Sequence, residues 1–239
     1  FFKQKTAYEI STRDWSSDVC SSDLPRLIVV RHGETAWNAD SRIQGQTDIP
    51  LNLRGEAQAR RLRTRLAHEA IVVAYASDLQ RAWRTAELAV EGRSISVVRD
   101  PVWRELRFGD WEGLTSSETV ARDPEIAAAR RRRPGDVRPP NGEHLGDMRD
   151  RIAPAIDAIR LRHPGETVLV ATHGGVVRTL GCHLLGMDLN LAWRLGASNV
   201  GVAIIELWPD GPIVETWNDT AHTSADDDEV AGGDGAGQP

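Results

Sequence analysis

Short apolar runs alternate with longer segments of helical periodicity along most of this 239-residue chain. The apolar runs are short and are followed by polar residues or glycine, as strands of a buried parallel sheet are. Between them, apolar residues recur at helical spacing among many charges, which predicts amphipathic helices. This alternation favours an α/β fold in which helices cover both faces of a mainly parallel sheet, a three-layer sandwich.

The pattern also places the individual elements. Strands are predicted at Arg26–Val30, Ile71–Ala76, Ile95–Val98 and Thr167–Thr172, followed by a hairpin of Val202–Leu207 and Ile213–Trp217 around Pro209-Asp210-Gly211. Helices are predicted at Arg54–His68, Asp78–Val90, Leu145–Arg162 and Gly175–Leu185, with Asp78 as an N-cap. The proline-rich residues 101–142 are predicted to be irregular, with a short helix near 116–131.

Charge divides the chain into three pieces. Residues 25–222 contain 26 arginines, no lysine and 26 acidic residues, so their net charge is zero. Residues 223–239 contain five acidic residues and no basic one, and we expect this tail to be disordered. The overall charge of −6 therefore says nothing about partners. We expect one domain over 25–222 that binds no nucleic acid.

Residues 1–24 differ from the rest, since they contain both lysines of the chain. Residues 2–10 and 14–24 back-translate into two widely used sequencing-library oligonucleotides. We therefore expect this segment to be translated adapter DNA rather than native protein, the alternative being a short polar extension. The segment has no signal-peptide pattern, and aliphatic runs of about four residues are too short to cross a membrane. These features predict a cytoplasmic protein that does not enter membranes.

Two predicted strands end in the same pattern, a histidine followed by glycine. The first is Arg31-His32-Gly33 and the second is Thr172-His173-Gly174-Gly175. Ligands of open α/β sheets bind at the carboxyl ends of the strands, and glycine allows a ligand to approach the backbone closely. One histidine at a strand end is more often structural, whereas two followed by glycine indicate a functional site. Neither histidine has metal-ligand spacing around it, so no metal site is predicted.

Five blocks in a fixed order resemble the histidine phosphatase superfamily, which has the phosphoglycerate-mutase-like fold. They are Arg31–Asn38, Ile43–Asp48, Ser77–Ala82, Arg104–Gly113 and Thr172–Gly175. The resemblance covers about residues 26–220. A match to the first four residues of the opening block alone would be weak, whereas five blocks in the order of the family are specific. It implies a metal-independent phosphomonoesterase, without a cofactor, that acts on a small phosphorylated metabolite such as a sugar phosphate or a phosphoglycerate derivative.

The resemblance implies how the phosphoryl group is handled. His32 would attack phosphorus as a neutral imidazole, and water would hydrolyse the resulting phosphohistidine. Arg31 and Arg81 would stabilise the phosphoryl oxygens, for which guanidinium groups are well suited. His173 would assist them as a second, protonated imidazole.

The resemblance assigns the proton for the leaving oxygen to Glu105. A carboxyl group donates near neutral pH only where apolar surroundings or a nearby anion favour its protonated form. The alternative for Glu105 is a salt bridge to Arg104 or Arg107. Glu34 and Glu112 match block positions and are interpreted as structural. The remaining expected substrate-binding residues are Asn38, Gln44, Gly45, Thr35 and Gly174.

Residues 115–142 are expected to form a lid, in the region where members of the family differ in substrate choice. Within it, Arg130–Arg133 could be a solvated helix end, or one or two of these arginines could bind a second anionic group. His144 stands where relatives commonly have serine after Gly-Glu, so its role is open.

Other functions remain open at this point. A cofactor-dependent phosphoglycerate mutase is the first alternative, although mutases carry a longer insert than this chain has between Gly113 and Gly142. A non-catalytic module that binds a phosphoryl ligand is the second, and a metallohydrolase is the third. Among phosphatases, Arg42–Asp48 and Gly109–Gly113 resemble actinobacterial enzymes that act on glucosyl-3-phosphoglycerate. We expect a monomer or a homodimer.

Overall fold

The computed structural model describes residues 24–223. The expected adapter segment and acidic tail therefore lie outside the described residues, apart from one residue of each. Within that range the strands are β1 (Arg26–Arg31), β2 (Ile71–Ala76), β3 (Ser96–Arg99), β4 (Thr167–Thr172), β5 (Val202–Glu206) and β6 (Ile213–Asp219). The helices are α1 (Ala36–Ala39), α2 (Leu53–Arg65), α3 (Gln80–Ala89), α4 (Ser116–Arg122), α5 (Pro124–Arg132), α6 (Leu145–Arg162) and α7 (Gly174–Leu184). None of these helices has the length and apolar character that crossing a bilayer requires.

The six strands form one sheet in the order β3-β2-β4-β1-β5-β6. The first four of these are mutually parallel, and β5 runs antiparallel to both β1 and β6. The predicted hairpin is therefore present as β5 and β6, at one edge of the sheet. The expectation of a mainly parallel sheet is confirmed.

Both faces of the sheet are covered because side chains alternate between them along each strand. In β1, Leu27 and Val29 pack into the cluster that contains Ile152 of α6 and Leu180 of α7. Ile28 and Val30 pack on the opposite face with Leu62 of α2, Ala86 of α3 and their neighbours. Every apolar residue of β1 is thus buried, and the three-layer sandwich predicted from the sequence is confirmed.

The start of α3 differs from the prediction. Asp78 does not cap this helix: the N-cap residue is Leu79, which makes no side-chain capping bond. The Asp78 carboxylate instead accepts two hydrogen bonds from the Arg104 guanidinium, at 2.7 and 2.6 Å. The Gln80 amide is capped from a distant loop, because it donates to Asp48 Oδ1 at 2.8 Å. Because the Asp78 carboxylate is engaged in an ion pair with Arg104, a tertiary contact overrides the local preference of aspartate for the N-cap position.

The region 116–131 contains two helices rather than one. The chain turns at Asp123, with φ −132° and ψ 65°, and Pro124 then begins α5. A residue before proline is sterically disfavoured in the helical conformation, which explains the break. The expected lid segment therefore consists of α4, α5 and an irregular stretch with turns at 134–136 and 140–141 that leads to α6.

The sheet topology brings the two histidine-glycine patterns together. Strands β1 and β4 are parallel neighbours, and Arg31 lies opposite Thr172 at their carboxyl ends. The next residue on each strand is a histidine, and the His32 amide donates to the Thr172 carbonyl at 2.8 Å. His32 and His173 therefore emerge side by side, as the sequence pattern indicated.

Candidate active site

The imidazoles of His32 and His173 form a buried pair. Their ring centroids are 5.1 Å apart with an interplanar angle of 61°. His32 is 3% exposed and His173 is completely buried. Positive charge on both imidazoles would be repelled by the nearby arginines and disfavoured by burial. The protonation state of the pair therefore determines what the site can do.

The hydrogen bonding of His32 sets its tautomer. Its Nδ1 lies 2.7 Å from the carbonyl oxygen of Gly33. A carbonyl oxygen only accepts, so Nδ1 carries the proton and Nε2 keeps its lone pair in the neutral ring. Burial, followed by the charges of Arg81 and Arg31, lowers the pKa of His32 well below its usual range. His32 is thus held as a neutral imidazole with a nucleophilic Nε2.

His173 differs from His32 in having no partner for either ring nitrogen within residues 24–223. Burial and then the charge of Arg81, with smaller contributions from His32 and Arg31, lower the pKa of His173 well below its usual range. The protein alone therefore favours a neutral ring, in contrast to the protonated one expected from the sequence. A phosphoryl dianion would supply the opposite charge and favour the cation.

Arg31 is held beside this pair at the end of β1. One of its terminal nitrogens, Nη1, donates to the Ala197 carbonyl at 2.8 Å, while Nε is buried without a partner in the part of the chain that the structure describes. Gly174 borders this guanidinium, since a Cβ placed on Gly174 would lie 3.5 Å from Arg31 Nε. Burial lowers the pKa of Arg31 to about 10. The side chain is still a cation near neutral pH and has a donor to spare for an anion.

Arg81 is completely buried in the first turn of α3. Its terminal nitrogens donate to the carbonyls of Gly45 and Thr47, at 2.7 and 2.8 Å, and its Nε has no partner among the described residues. Burial lowers the pKa of Arg81 to about 10. Since carbonyls do not neutralise the guanidinium, its charge remains available to an anion in the site.

Glu112 shapes the loop that carries those carbonyls. Its carboxylate accepts from the amides of Gln46, Thr47 and Phe108, and from the Thr47 hydroxyl at 2.5 Å. Gly45 approaches so closely, with φ +54°, that a Cβ there would overlap this carboxylate. The interpretation of Glu112 as structural agrees with these contacts.

Asn38 and Thr35 form a capping box at the start of α1. The Thr35 hydroxyl accepts from the Asn38 amide and donates to Asn38 Oδ1. Asn199 donates from Nδ2 to the His32 carbonyl at 2.9 Å and to Asn38 Oδ1 at 3.3 Å. Because Asn38 Oδ1 is occupied by donors, its Nδ2 group is left for a ligand. Thr35 thus positions Asn38, and Asn199 is a site residue that no sequence pattern indicated.

Glu105 lies at the N-terminus of α7. Its Oε2 accepts from the Gly175 amide at 3.0 Å, and its Oε1 accepts from the Leu106 amide at 2.7 Å. A Cβ on Gly175 would overlap the carboxyl group, so this approach requires glycine. Arg104 pairs with Asp78, which excludes it as the salt-bridge partner considered for Glu105.

A cavity of about 170 Å³ opens between these groups. The cavity is open to solvent on one side, so a ligand can enter it from there. The wall contains seven of the ten predicted site residues and adds Arg42, Ile43 and Phe108. The seven are Arg31, His32, Asn38, Gln44, Gly45, Arg81 and Glu105. His173, Thr35 and Gly174 lie outside the wall, next to residues that form it.

The structure gives defined places to His144 and to the run Arg130–Arg133, whose roles the sequence left open. His144 caps α6, with its Nδ1 accepting from the Asp147 amide at 3.0 Å in a reciprocal capping box. Of the arginine run, Arg131–Arg133 are exposed, as expected of a solvated helix end, whereas Arg130 is buried.

No group of three or more His, Cys, Asp or Glu side chains suited to a metal ion occurs among residues 24–223.

Comparisons with known proteins agree on one family. The model described as the histidine phosphatase superfamily (branch 1) matches residues 27–220. Phosphoserine phosphatase 1 of Hydrogenobacter thermophilus is 32% identical over 199 residues, covering 83% of this chain and 94% of that protein. Phosphoglycerate mutase-like protein 4 of Arabidopsis thaliana is 42% identical over 204 residues, covering 84% and 87%.

Solved structures show the same likeness. A mycobacterial glucosyl-3-phosphoglycerate phosphatase in complex with VO3 superposes with a TM-score of 0.72 at 29% identity, covering 82% of this chain and 99% of that one. The range matched by the family model contains every residue of the cavity wall.

Proposed function

We propose, from the premise that this chain belongs to the histidine phosphatase superfamily (branch 1), that it hydrolyses small phosphomonoesters with His32 as the nucleophile. The superfamily and fold expected from the five sequence blocks are confirmed, and relatives named as phosphatases support the hydrolytic activity. The observation that carries the residue assignment is the contact between His32 Nδ1 and the Gly33 carbonyl, because it assigns the proton to Nδ1 and leaves the lone pair of Nε2 free in the cavity that Arg31 and Arg81 also line.

The first half of the reaction transfers the phosphoryl group to the protein. His32 Nε2 attacks phosphorus in line with the ester oxygen, forming a P–N bond as the P–O bond breaks. Arg31 and Arg81 bind the equatorial oxygens, and Asn38 Nδ2 adds a neutral donor. The approaching dianion favours protonation of His173, which then contributes a third positive charge. Glu105 protonates the departing oxygen.

The second half returns the protein to its starting state. A water molecule takes the place of the leaving alcohol, and the Glu105 carboxylate accepts one of its protons as its oxygen attacks phosphorus. The P–N bond breaks, inorganic phosphate forms, and His32 recovers its neutral ring. The same carboxyl group therefore serves as acid and then as base, which requires no other titrating residue in the cavity.

The experiment is a phosphate-release assay over phosphorylated sugars, glycerates and amino acids. We expect His32→Ala to lower kcat by at least about 10⁴-fold, the size of effect seen when a catalytic nucleophile is removed. His68→Ala, which alters an exposed histidine, is the matched control and should retain full activity. When the wild-type protein is quenched in alkali during turnover of a substrate with a radiolabelled phosphoryl group, the label should remain on the protein as phosphohistidine. The same label should be released when the protein is treated with acid. Equal rates for His32→Ala and wild type would refute the assignment.

A phosphoglycerate mutase is the second candidate function. It is favoured by the mutase-like Arabidopsis relative, which at 42% is more similar in sequence than the phosphatase from Hydrogenobacter. Both reactions share the phosphohistidine, and they differ in whether water or a second hydroxyl accepts the phosphoryl group. Incubation with 3-phosphoglycerate separates them, because 2-phosphoglycerate without free phosphate would establish the mutase.

The proposal extends to metal independence and to partners. Full activity in EDTA is expected, and loss of activity that Mg²⁺ or Zn²⁺ restores would contradict it. We also propose that the protein is a cytoplasmic monomer or homodimer with no affinity for nucleic acid. Light scattering and a DNA-binding titration at low salt test the last two statements.

A further inference from the structure

Glu105 is held by neither a helix nor a strand, unlike the two phosphoryl-binding arginines and His173. Arg31 ends β1, Arg81 lies in α3, and His173 is the N-cap residue of α7. Glu105 instead lies in the irregular stretch 104–108. A carboxyl group that delivers a proton must lie within hydrogen-bond reach of the leaving oxygen. Contacts from other parts of the chain must therefore fix the backbone that carries it.

Arg151 of α6 supplies two of these contacts. Its Nη1 donates to the Val102 carbonyl and, at 3.0 Å, to the Arg104 carbonyl. Its Nη2 is buried and lies 3.6 Å from Glu143 Oε2, an oxygen that also accepts from the Arg107 amide at 3.1 Å. The guanidinium and its ion-pair partner thus hold the backbone on both sides of the proposed acid.

Two neutral side chains complete the set of contacts. The Thr172 hydroxyl donates to the Trp103 carbonyl at 2.8 Å, and Gln46 Nε2 donates to the Glu105 carbonyl at 3.1 Å. Every carbonyl from residue 102 to residue 105 therefore accepts a hydrogen bond from a distant side chain. Of these four bonds, the two from Arg151 come from a charged donor, and such bonds are about twice as strong as those from neutral donors. Removal of this guanidinium should loosen the backbone most.

We propose that Arg151 is a positioning residue that keeps the Glu105 carboxyl group beside the departing ester oxygen. This inference rests on the proposed function, which makes Glu105 the proton donor. The carboxyl oxygens accept from the Leu106 and Gly175 amides, so the stretch that carries the side chain must keep a fixed distance from the N-terminus of α7. Arg151 is not part of the cavity wall and acts on the reaction through Glu105.

The test compares two substrates whose leaving groups differ in their need for a proton. Glycerol 3-phosphate releases an alkoxide, which must be protonated as it departs, whereas p-nitrophenyl phosphate releases a stabilised phenolate. Arg151→Gln should lower kcat/KM for glycerol 3-phosphate by about 10- to 100-fold, the cost of a misplacement of about 1 Å, and change that for p-nitrophenyl phosphate by less than about threefold. This ratio is measured because it covers the transfer to His32 and not the later attack of water, in which the same carboxyl group acts.

Arg149→Gln is the matched control, because Arg149 is an exposed residue of the same helix that pairs with Asp150. It should behave as wild type with both substrates. Arg151→Lys keeps the cation but lacks the planar fork, so a smaller loss is expected, again confined to glycerol 3-phosphate. This variant provides the comparison if Arg151→Gln does not fold. An equal loss for both substrates would mean that Arg151 acts elsewhere, for instance through its charge on His173, and would overturn the inference.

A double-mutant cycle separates the inference from the proposed function. Glu105→Gln alone should lower kcat/KM for glycerol 3-phosphate by about 10²- to 10⁴-fold, the contribution of a general acid. Adding Arg151→Gln should then change it by less than about threefold, because the group that Arg151 positions is already gone. Multiplication of the two separate losses would refute the positioning role and leave the proposed function standing. Wild-type rates in Glu105→Gln would refute Glu105 as the acid, and the inference with it.

Discussion

Arg81 shows how a single side chain can keep its charge available while fully buried. Its hydrogen bonds go to the carbonyls of Gly45 and Thr47 rather than to a carboxylate. The two bonds fix the plane of the guanidinium, and the unpaired Nε keeps a donor for the ligand. An ammonium group could supply the charge but could not satisfy both carbonyls and the ligand from the same geometry.

Arg81→Lys should therefore lower kcat/KM by about 100- to 1000-fold, the usual effect of removing a fixed donor to developing charge. Steady-state phosphate release measures the loss, and thermal unfolding shows whether the variant stays folded. Arg84→Lys on the same helix is the control, because Arg84 is partly exposed and pairs with Glu87. A decline of less than about threefold in Arg81→Lys would show that the two hydrogen bonds from the guanidinium to the Gly45 and Thr47 carbonyls are unimportant for activity.

The residue scale also shows what the sequence could predict. His32, Arg81 and Glu105 stand in recognisable blocks, and all three line the cavity. The contacts of Asn199 in the site and the burial of Arg130 could not be identified, because each depends on the place to which the fold brings the side chain. Asn199 reaches Asn38 across 161 positions of sequence. Arg130 looks the same as the three exposed arginines that follow it.

The loop that contains residues 43–48 depends on one glycine. Gly45 has φ +54°, and its missing side chain makes room for the Glu112 carboxylate that holds the next two amides. Gly45→Ala should destabilise the protein by about 2–5 kcal/mol, from the left-handed backbone together with the steric overlap. It should also reduce activity strongly, since the Gly45 carbonyl orients Arg81.

Gly92→Ala is the matched control for this prediction. Gly92 also has positive φ, +80°, but a Cβ there meets no atom within 4 Å. Only the backbone cost of about 1–2 kcal/mol should appear, with activity unchanged. Denaturant unfolding of both variants gives the comparison, and equal destabilisation would mean that the Glu112 contact contributes nothing.

The N-terminus of α6 explains the unusual histidine at position 144. An imidazole Nδ1 accepts from the Asp147 amide, where serine would use its hydroxyl in the same way. We expect His144→Ser to preserve the stability of the protein and His144→Ala to lower it by about 1 kcal/mol. Neither variant should change kcat, which phosphate release can verify. A matching loss in both variants would contradict the capping role.

Helix and strand positions were predictable where burial periodicity decides them, as in β1, β4 and α6. Helix capping was not predictable, because a capping side chain can instead bind a residue that is distant in the sequence. Asp78 had the right residue type to cap α3, yet Arg104 binds it and Asp48 supplies the cap instead. The split of α4 from α5 was readable in principle, since proline at position 124 disfavours helical geometry at residue 123.

At the scale of the whole molecule, the fold buries positively charged side chains of several elements. Arg81 of α3 and Arg130 of α5 are buried, Arg31 of β1 is partly buried, and the pKa values of all three are lowered to about 10; two buried histidines, His32 and His173, accompany them. The cost of this arrangement is limited by keeping both imidazoles neutral. Folding therefore excludes protons that the unfolded chain would bind.

This exclusion predicts a specific loss of stability in acid. The pKa values of His32 and His173 lie well below 6.5 in the folded protein and near 6.5 when it is unfolded. As the pH falls through 6.5, the unfolded chain takes up protons that the folded one does not, so the free energy of unfolding declines. The limit is about 1.4 kcal/mol per pH unit for each histidine, and the decline ends only below the lowered folded pKa values.

Urea unfolding between about pH 7.5 and pH 5 measures this effect. Below that range the unfolded chain begins to protonate its carboxylates, so those of Asp78 and Asp219, whose folded pKa values are lowered by hydrogen bonds, lose their own stabilising effect. The slope in the wild type should combine the contributions of His32 and His173 with one from His222, whose pKa burial also lowers, and His173→Gln should reduce it by the contribution of one histidine. His68→Ala should keep the full slope, because its histidine is exposed in both states. A flat profile across this window would mean that the folded pKa values are not lowered. A free energy of unfolding that rises as the pH falls would mean that the fold holds the pair as cations, which would contradict the role of His32 as a nucleophile.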